Sequence, residues 1–291
     1  MTAVAAVRIG ELLDELAATL GGPGLPPDRG TARDIIAAVV SQPRFWPTAN
    51  RDAELDGVQV ERARDAAAAI RSGAPFAYAV GTAAFRGLTL RVDRRVLIPR
   101  PETEVLVDLA LALTNRQGTV ADVCTGSGAI ALALASEGAY TRVVATDVSA
   151  EALAVAADNL GTLDPTRQAT VEFRRGDLCA PLSGERFGLV VANPPYIADG
   201  EAGELPRGVF DWEPHLALFS GPDGIAAIQR LIADVPEVLE AGGVMILETD
   251  SRRAAAALAL ASADARWVDS QLHNDLTGRQ RFLVARRSRS G

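Results

Sequence analysis

Downstream of Thr119 the sequence alternates short β-rich runs with helical stretches, and no other feature restricts the possible folds so tightly. Val120–Val123, Arg142–Thr146, Ala169–Phe173, Leu189–Ala192 and Val244–Glu248 read as strands, while Ala129–Glu137, Ala150–Leu160 and Gly224–Leu239 read as helices between or after them. Strands alternating with helices predict an α/β fold whose mainly parallel sheet is covered on both faces. In such sheets ligands bind at the carboxyl ends of the strands, near the switch in strand order. The residues with the most chemistry all fall at those ends.

The first ninety or so residues lack this rhythm. Ile9, Leu12, Leu13, Leu16 and Leu20 form one helical stripe, ended by Gly21-Gly22-Pro23-Gly24 and prolonged by Pro26-Pro27. Ala32–Val40 and Gln59–Arg71 read as two more helices, and no strand is expected before Phe85–Val92. The expected organisation is a small all-helical domain over 1–80, a linker with a short hairpin over 81–101, and the α/β domain over 102–291. The only biased segment is the Arg/Ser tail at Arg286–Gly291.

Composition removes several classes of function. No apolar run approaches the roughly 20 residues of a membrane helix, and Arg8, Glu11 and Asp14 interrupt any secretory pattern. The expectation is a soluble, cytoplasmic chain with no membrane partner, acting as a monomer. Cys124 and Cys179 have no matching histidine cluster, since His215 and His273 stand apart, so neither a metal site nor a disulfide is expected. The net charge is −8 and every positive side chain is arginine. An acidic chain lacks the basic surface that meets nucleic-acid phosphates, and a basic protein suits it better as a partner.

Asp122-Val123-Cys124-Thr125-Gly126-Ser127-Gly128 follows the first strand and opens a helix. Its glycines allow a tight turn and close approach of a ligand to the backbone. Asp147 ends the second strand, 19 residues beyond Gly128. An acid there accepts both hydroxyls of a ribose, although Asp-Val-Ser is also good capping chemistry for the next helix. The third strand runs into Arg175-Gly176-Asp177-Leu178; in series with the others, Asp177 would accept from an adenine amino group with Leu178 against the ring.

The fourth strand runs into Asn193-Pro194-Pro195-Tyr196. Two prolines fix the backbone and remove N–H donors. The outward groups are then acceptors, the Asn193 side-chain oxygen and the Pro194 carbonyl, suited to a planar amide or amino nitrogen bearing two N–H donors. Tyr196 could stack on that planar group. Catalysis at such a site is mainly positioning for in-line transfer.

The glycine loop lacks a full Gly-x-Gly-x-x-Gly, and with Asp122 six residues before Gly128 it resembles that of the class I S-adenosylmethionine methyltransferases. That likeness implies a Rossmann-like seven-stranded sheet, S-adenosylmethionine as cofactor and S-adenosylhomocysteine as product. Asp122 would accept from the methionine ammonium, and Cys124, Thr125, Gly126, Ser127 and Gly128 would carry the cofactor. The stretch Val96-Leu97-Ile98-Pro99-Arg100-Pro101-Glu102-Thr103-Glu104 closely resembles the signature of the peptide chain release factor glutamine methyltransferases. In order, Phe85-Arg86-Gly87-Leu88, Asn193–Ile197, Glu213–Leu218, Gly221-Pro222-Asp223-Gly224 and Asp275–Phe282 are similar to the same family. The resemblance spans about Ala74 to Arg286. It implies methylation of the glutamine in the Gly-Gly-Gln loop of a release factor, docking by the helical domain, and a wall role for Arg100 and Glu102, which could otherwise pair structurally across the linker.

The chain departs from that pattern at Cys124, where the family has glycine, at Leu178, where an aromatic is usual, and at Glu248-Thr249-Asp250, where Glu-x-Gly is usual. Pro43–Pro47 is atypical in the helical domain. Two nearby alternatives are methylation of a ribosomal-protein glutamine and of an adenine amino group in nucleic acid, the latter lacking a basic recognition region. A binding protein that keeps the fold without catalysis is a third.

Overall fold

Val120 to Val123 are all fully buried, and this continuous run forms the middle strand of a sheet covered on both faces, as parallel strands require. The computed structural model describes residues 6–22, 26–168 and 170–289. Pro23 and Gly24 of the expected helix stop, Ala169 of the expected third strand, and Ser290-Gly291 of the tail lie outside the described residues.

The seven strands are β1 Gln117–Val123, β2 Ala139–Asp147, β3 Val171–Arg175, β4 Phe187–Ala192, β5 Leu239–Glu248, β6 Trp267–Asn274 and β7 Gln280–Arg287. Their order is β3-β2-β1-β4-β5-β7-β6. The first five are parallel, and β7 runs antiparallel to both its neighbours. The chain winds outward from β1 to β3 and returns on the other side of β1 at β4. That reversal is the switch point where ligand sites form.

Alternate strand residues face two separate cores. Leu189, Val191, Val244 and Ile246 meet helices α1 (Glu104–Leu113) and α2 (Ala129–Glu137) on one face. Val190, Ala192, Met245 and Leu247 meet α4 (Ala226–Asp234) and α5 (Ala254–Ala263) on the other; α3 is Ala150–Leu160. Seven of the nine α2 residues are buried, so this helix is apolar all round, as a helix enclosed by its neighbours must be. The hairpin Thr82–Phe85 with Leu88–Arg91 turns at Arg86 (φ 51°). Arg86 pins it by pairing with Glu137 and with Asp108 at 2.9 Å, while its N–H donates to Glu104 at 2.8 Å.

Several boundaries differ from the sequence expectation. β3 starts at Val171 and ends at Arg175, because pairing with β2 carries it until Asp147 stands opposite Arg175. The helix expected over Gly224–Leu239 is α4 plus a 3-10 turn at Val235–Glu237, since Pro236 has no N–H to continue the ladder. β6, β7, α1 and α5 were not foreseen from periodicity.

The chain divides into two compact units, Met1–Thr82 with Pro206–Trp212, and Ala83–Leu205 with Glu213–Gly291. In the smaller unit, helices Ile9–Gly21, Arg29–Val39 and Gly57–Arg71 enclose Leu12, Leu16, Ile35, Ile36 and Val60. Asp28 caps the second by accepting from the Thr31 N–H, and Asp56 with Gln59 forms a capping box on the third. This unit is not purely helical: Val7–Arg8 pairs antiparallel with Glu54–Leu55, because the chain entering the first helix satisfies its backbone against the segment before the third. Among the described residues no helix is long and apolar enough to cross a membrane, and no group of three or more potential metal ligands forms.

Candidate active site

The turn after β1 is built from three left-handed residues, Cys124 (φ 63°), Gly126 (φ 55°) and Gly128 (φ 83°). A Cβ on Gly126 would meet no atom within 4 Å, and Gly126 lines a cavity of about 600 Å³, a size within the range of small-molecule sites. Gly128 does not line it. A Cβ there would stand 3.2 Å from both Ala156 and Leu132, so Gly128 serves the packing of α2. Cys124 takes the left-handed conformation with a side chain, at the position where the resemblance led to the expectation of a glycine. Cys124, Thr125 and Ser127 join Gly126 in the wall.

Asp122 lies under the loop, fully buried and outside the cavity wall. Its Oδ2 accepts from Thr125 Oγ1 at 2.6 Å and from the Ala131 N–H at 3.0 Å, while Oδ1 has no partner. Burial pushes its pKa up to about 7 against those two hydrogen bonds, with the charge of Asp147 adding to the rise. Asp147 does line the cavity. Its Oδ2 accepts from the Gly126 N–H and its Oδ1 from the Ser149 N–H, each at 2.9 Å. Burial raises its pKa while the N–H groups of Ser149, Gly126 and Val148 oppose. Ser149 is the residue that caps α3, accepting from the Ala152 N–H at 3.1 Å. Asp177 and Leu178 close the far end of the wall. Asp177 pairs at 2.7 Å with Arg230, a residue that sequence reasoning missed; both are about half exposed, so the pair adds little stability.

At the other end Asn193 follows β4. Its Nδ2 donates to Thr103 Oγ1 at 3.2 Å, which leaves Oδ1 as the uncommitted acceptor. Asn193, Pro195, Thr103 and Arg100 line the cavity; Pro194, Tyr196 and Glu102 do not. Tyr196 was expected to stack on a substrate in the cavity. After the two prolines it instead packs against the core on the α4–α5 face, and burial, then the nearby Glu248, push its hydroxyl pKa up. Arg100 pairs with Glu213 at 2.5 Å rather than with Glu102. Glu213 is buried and also accepts from the Ile98 N–H at 3.3 Å. His215 lines the cavity with its ring edge-on to Phe219 at 5.5 Å.

The structure also accounts for Asp250. It accepts from the Arg253 N–H at 3.0 Å and pairs with the Arg253 guanidinium at 2.6 Å. Arg253 is buried and reaches on to Glu201 and the Asp223 carbonyl. An anchor for Arg253 thus stands where the resemblance led to the expectation of a glycine.

The methyltransferase small domain family matches residues 102–205. A release factor glutamine methyltransferase from Mycolicibacterium smegmatis is 42% identical over 219 residues, 73% of this chain and 75% of that protein. One from Deinococcus radiodurans is 36% identical over 286 residues, 97% of this chain and 99% of that protein. Among solved structures, a methyltransferase from Pyrococcus furiosus superposes with a TM-score of 0.51 at 15% identity, over 70% of this chain and 91% of that one. That likeness speaks for the fold alone.

Proposed function

The chain belongs to the release factor glutamine methyltransferase family, and from that premise we propose that it moves a methyl group from S-adenosylmethionine to the side-chain amide nitrogen of the glutamine in a release factor's Gly-Gly-Gln loop. The observation that carries this reading is the Asn193 amide, tied through Nδ2 to Thr103 so that its oxygen is left as an acceptor at the cavity wall.

The residues at the other end fit the cofactor. Asp147 has lone pairs beyond its two N–H partners for a ribose diol. The space beside Gly126 is one that a Cβ would occupy, and the Asp122 Oδ1 is left without a partner beneath the loop, where an ammonium above it would favour the ionised carboxylate. No pyrophosphate-binding Gly-x-Gly-x-x-Gly is present, in keeping with a cofactor that has no phosphates. Bound there, S-adenosylmethionine supplies an electrophilic methyl group on a sulfonium.

What the chain contributes is orientation. An amide nitrogen is a poor nucleophile because its lone pair is delocalised into the carbonyl. Asn193 Oδ1, accepting one of its hydrogens at the cavity wall, returns electron density to nitrogen and holds its plane. Positioning of this kind supplies about 7–11 kcal/mol in favourable cases. The methylated nitrogen is strongly acidic and sheds its proton to water, so no side-chain base is assigned. Arg100, held by Glu213, forms part of the wall, and Tyr196 supports the turn from behind.

The smaller unit suits the docking of a protein partner. Phe45, Val58, Phe76 and Phe210 are exposed large apolar residues on it, and such groups mark interaction surfaces when they gather.

The test is mass spectrometry of a release factor incubated with this protein and S-adenosylmethionine. One added methyl on the Gly-Gly-Gln glutamine, absent with Asn193→Ala, is the expected result. Cofactor binding without methylation of any release factor would overturn the substrate assignment.

A further inference from the structure

Two loops at the substrate end of the cavity are joined by a buried cation that the methyl-transfer reading does not use. Pro194 and Pro195 have no N–H to donate, so the turn after β4 takes its backbone anchorage further along. The Ile197 N–H donates to the Leu218 carbonyl and the Ser220 N–H to the Ile197 carbonyl, each at 2.9 Å, and the Asp199 N–H donates to the Gly221 carbonyl at 3.0 Å. The partner loop is cavity wall, contributing Pro214, His215, Phe219 and Gly221 among others. The Asn193 turn and this wall loop are thus zipped together.

Arg253 closes the pair. It stands just before α5, is buried, and sends its guanidinium to three separate segments. Nε donates to the Asp223 carbonyl at 3.0 Å, just past the wall loop. Nη2 pairs with Glu201 Oε2, and that same oxygen accepts from the Ala198 N–H at 3.0 Å, two residues beyond Tyr196. Nη1 donates to Asp250 at 2.6 Å, on the segment leaving β5. Gly224 lets these parts close together. At its φ of 74° a Cβ would stand 2.3 Å from Arg253 Nε, 2.5 Å from the Tyr196 carbonyl oxygen and 2.8 Å from the Ala198 nitrogen. A buried guanidinium is costly unless its donors find acceptors, and here the rigid fork of an arginine meets one acceptor on each segment.

We infer that Arg253 is a positioning residue for the methyl transfer: by holding residues 198–201 against residues 223–224 and tying both to the end of β5, it sets where the Asn193 turn stands relative to the cavity. This deepens the methyltransferase reading and rests on it. Arg253 does not itself line the cavity. The residues assigned to the cofactor, Gly126, Asp147 and Asp177, belong to the ends of β1, β2 and β3, on the other half of the sheet edge. Loosening the clasp therefore shifts the acceptor and leaves the cofactor's seat in place. Asn193 keeps its own tie to Thr103, so the clasp governs the placement of the turn and not the rotation of the amide.

The experiment compares wild type, Arg253→Lys, Glu201→Gln and the double variant. It reads kcat for release factor methylation at saturating S-adenosylmethionine, S-adenosylhomocysteine affinity by calorimetry, and amide hydrogen exchange by mass spectrometry. A lysine keeps the charge but is a point donor that cannot span three segments. Arg253→Lys is expected to lower kcat roughly 10- to 100-fold, as displacements of about 1 Å do, at unchanged S-adenosylhomocysteine affinity. Exchange over residues 197–199 and 218–221 should quicken while that of β1 and β4 stays as in wild type. Glu201→Gln should lose less in the same direction, and the double variant should lose less than the product of the two, because both open one clasp. Wild-type kcat in Arg253→Lys, an affinity that falls as far as kcat, or exchange raised evenly across the sheet would overturn the inference. If Arg253→Lys does not fold, Glu201→Gln is read in its place by the same outcomes. If wild type methylates no release factor, the functional reading fails by itself, and unquickened exchange over residues 197–221 then overturns the clasp.

Discussion

Gly126 and Gly128 share a left-handed backbone but have different surroundings, so adding one methyl group to each separates binding from folding. The left-handed conformation costs a residue with a Cβ about 1–2 kcal/mol at either position. At Gly128 the new Cβ also meets Ala156 and Leu132 at 3.2 Å, and overpacking of that kind costs about 1–3 kcal/mol more. Gly128→Ala should therefore destabilise by about 2–5 kcal/mol. At about 2–4 °C per kcal/mol for a unit of this size, Tm falls by about 4–20 °C. At Gly126 nothing in the chain obstructs the methyl, so the stability loss is the strain alone, about 1–2 kcal/mol. That methyl enters the cavity beside Asp147, however, and forfeiting about 1.4 kcal/mol of binding energy there weakens affinity tenfold. Circular dichroism melts and calorimetry with S-adenosylhomocysteine read the two effects independently. Gly128→Ala should melt early and, while folded, bind as wild type does; Gly126→Ala should melt close to wild type and bind at least about tenfold more weakly. Two variants that melt alike, or a Gly126→Ala protein that binds normally, would refute the assignment of one glycine to packing and the other to the ligand.

Asp122, raised to about 7, keeps its proton in the free protein up to near-neutral pH. A methionine ammonium above the loop would favour the ionised form, so cofactor binding between about pH 6 and 7.5 should release protons and tighten as pH rises. Calorimetry in two buffers of different ionisation enthalpy measures this, and identical heats would count against the placement. Arg100→Ala leaves the buried Glu213 without its ionic partner and should cost roughly 2–3 kcal/mol, discounted for the partial exposure of Arg100. Adding Glu213→Gln should return part of that in a thermal melt. Asp250→Gly removes two bonds to buried Arg253 and should lower stability by about 1–3 kcal/mol; a stabilised variant would show that the anchor is idle.

The parts of this fold that could be read in advance are those where one strand or helix carries its own signal. β4 and the end of β5 are continuous apolar runs, and β1 is one broken only by Asp122, as sheets covered on both faces impose. Asp147 and Asn193 were visible because each stands at the end of a strand, and Asp122 because it is a carboxylate within the buried β1 just before the glycine loop; parallel register gathers all these ends on one edge. β6 was hidden by its edge position, where Asp269, Ser270 and Gln271 interrupt any apolar run. The ribbon of Val7–Arg8 with Glu54–Leu55 has strands of two residues, too short to leave a period. Pairings across distance were the least legible. Arg100 with Glu213, Asp177 with Arg230, and Asn193 with Thr103 join positions 53 to 113 residues apart, and no local pattern reports them. A nearby opposite charge, Glu102, is what sequence offers Arg100 instead.

The placement of Tyr196 follows from the same physics. Two prolines do direct the chain after β4, but they fix φ without fixing which way the following side chain goes. The apolar face beside α4 and α5 has room for a large ring, and burying an aromatic side chain there is worth several times a stacking contact in an open cavity. The strain in the opposite loop has a comparable logic. A side chain at φ 63° on Cys124 costs about 1–3 kcal/mol and persists only where neighbours over-determine the turn. Those neighbours are the Asp122 carboxylate on Thr125 and the Thr146 carbonyl accepting from the Thr125 N–H at 2.9 Å. Asp122 beneath the loop is a buried carboxyl raised to about 7 that accepts from the hydroxyl of Thr125, a residue of the cavity wall. A carboxyl kept out of the wall cannot be alkylated or solvated by what binds there, yet it still sets the direction in which the hydroxyl above it points.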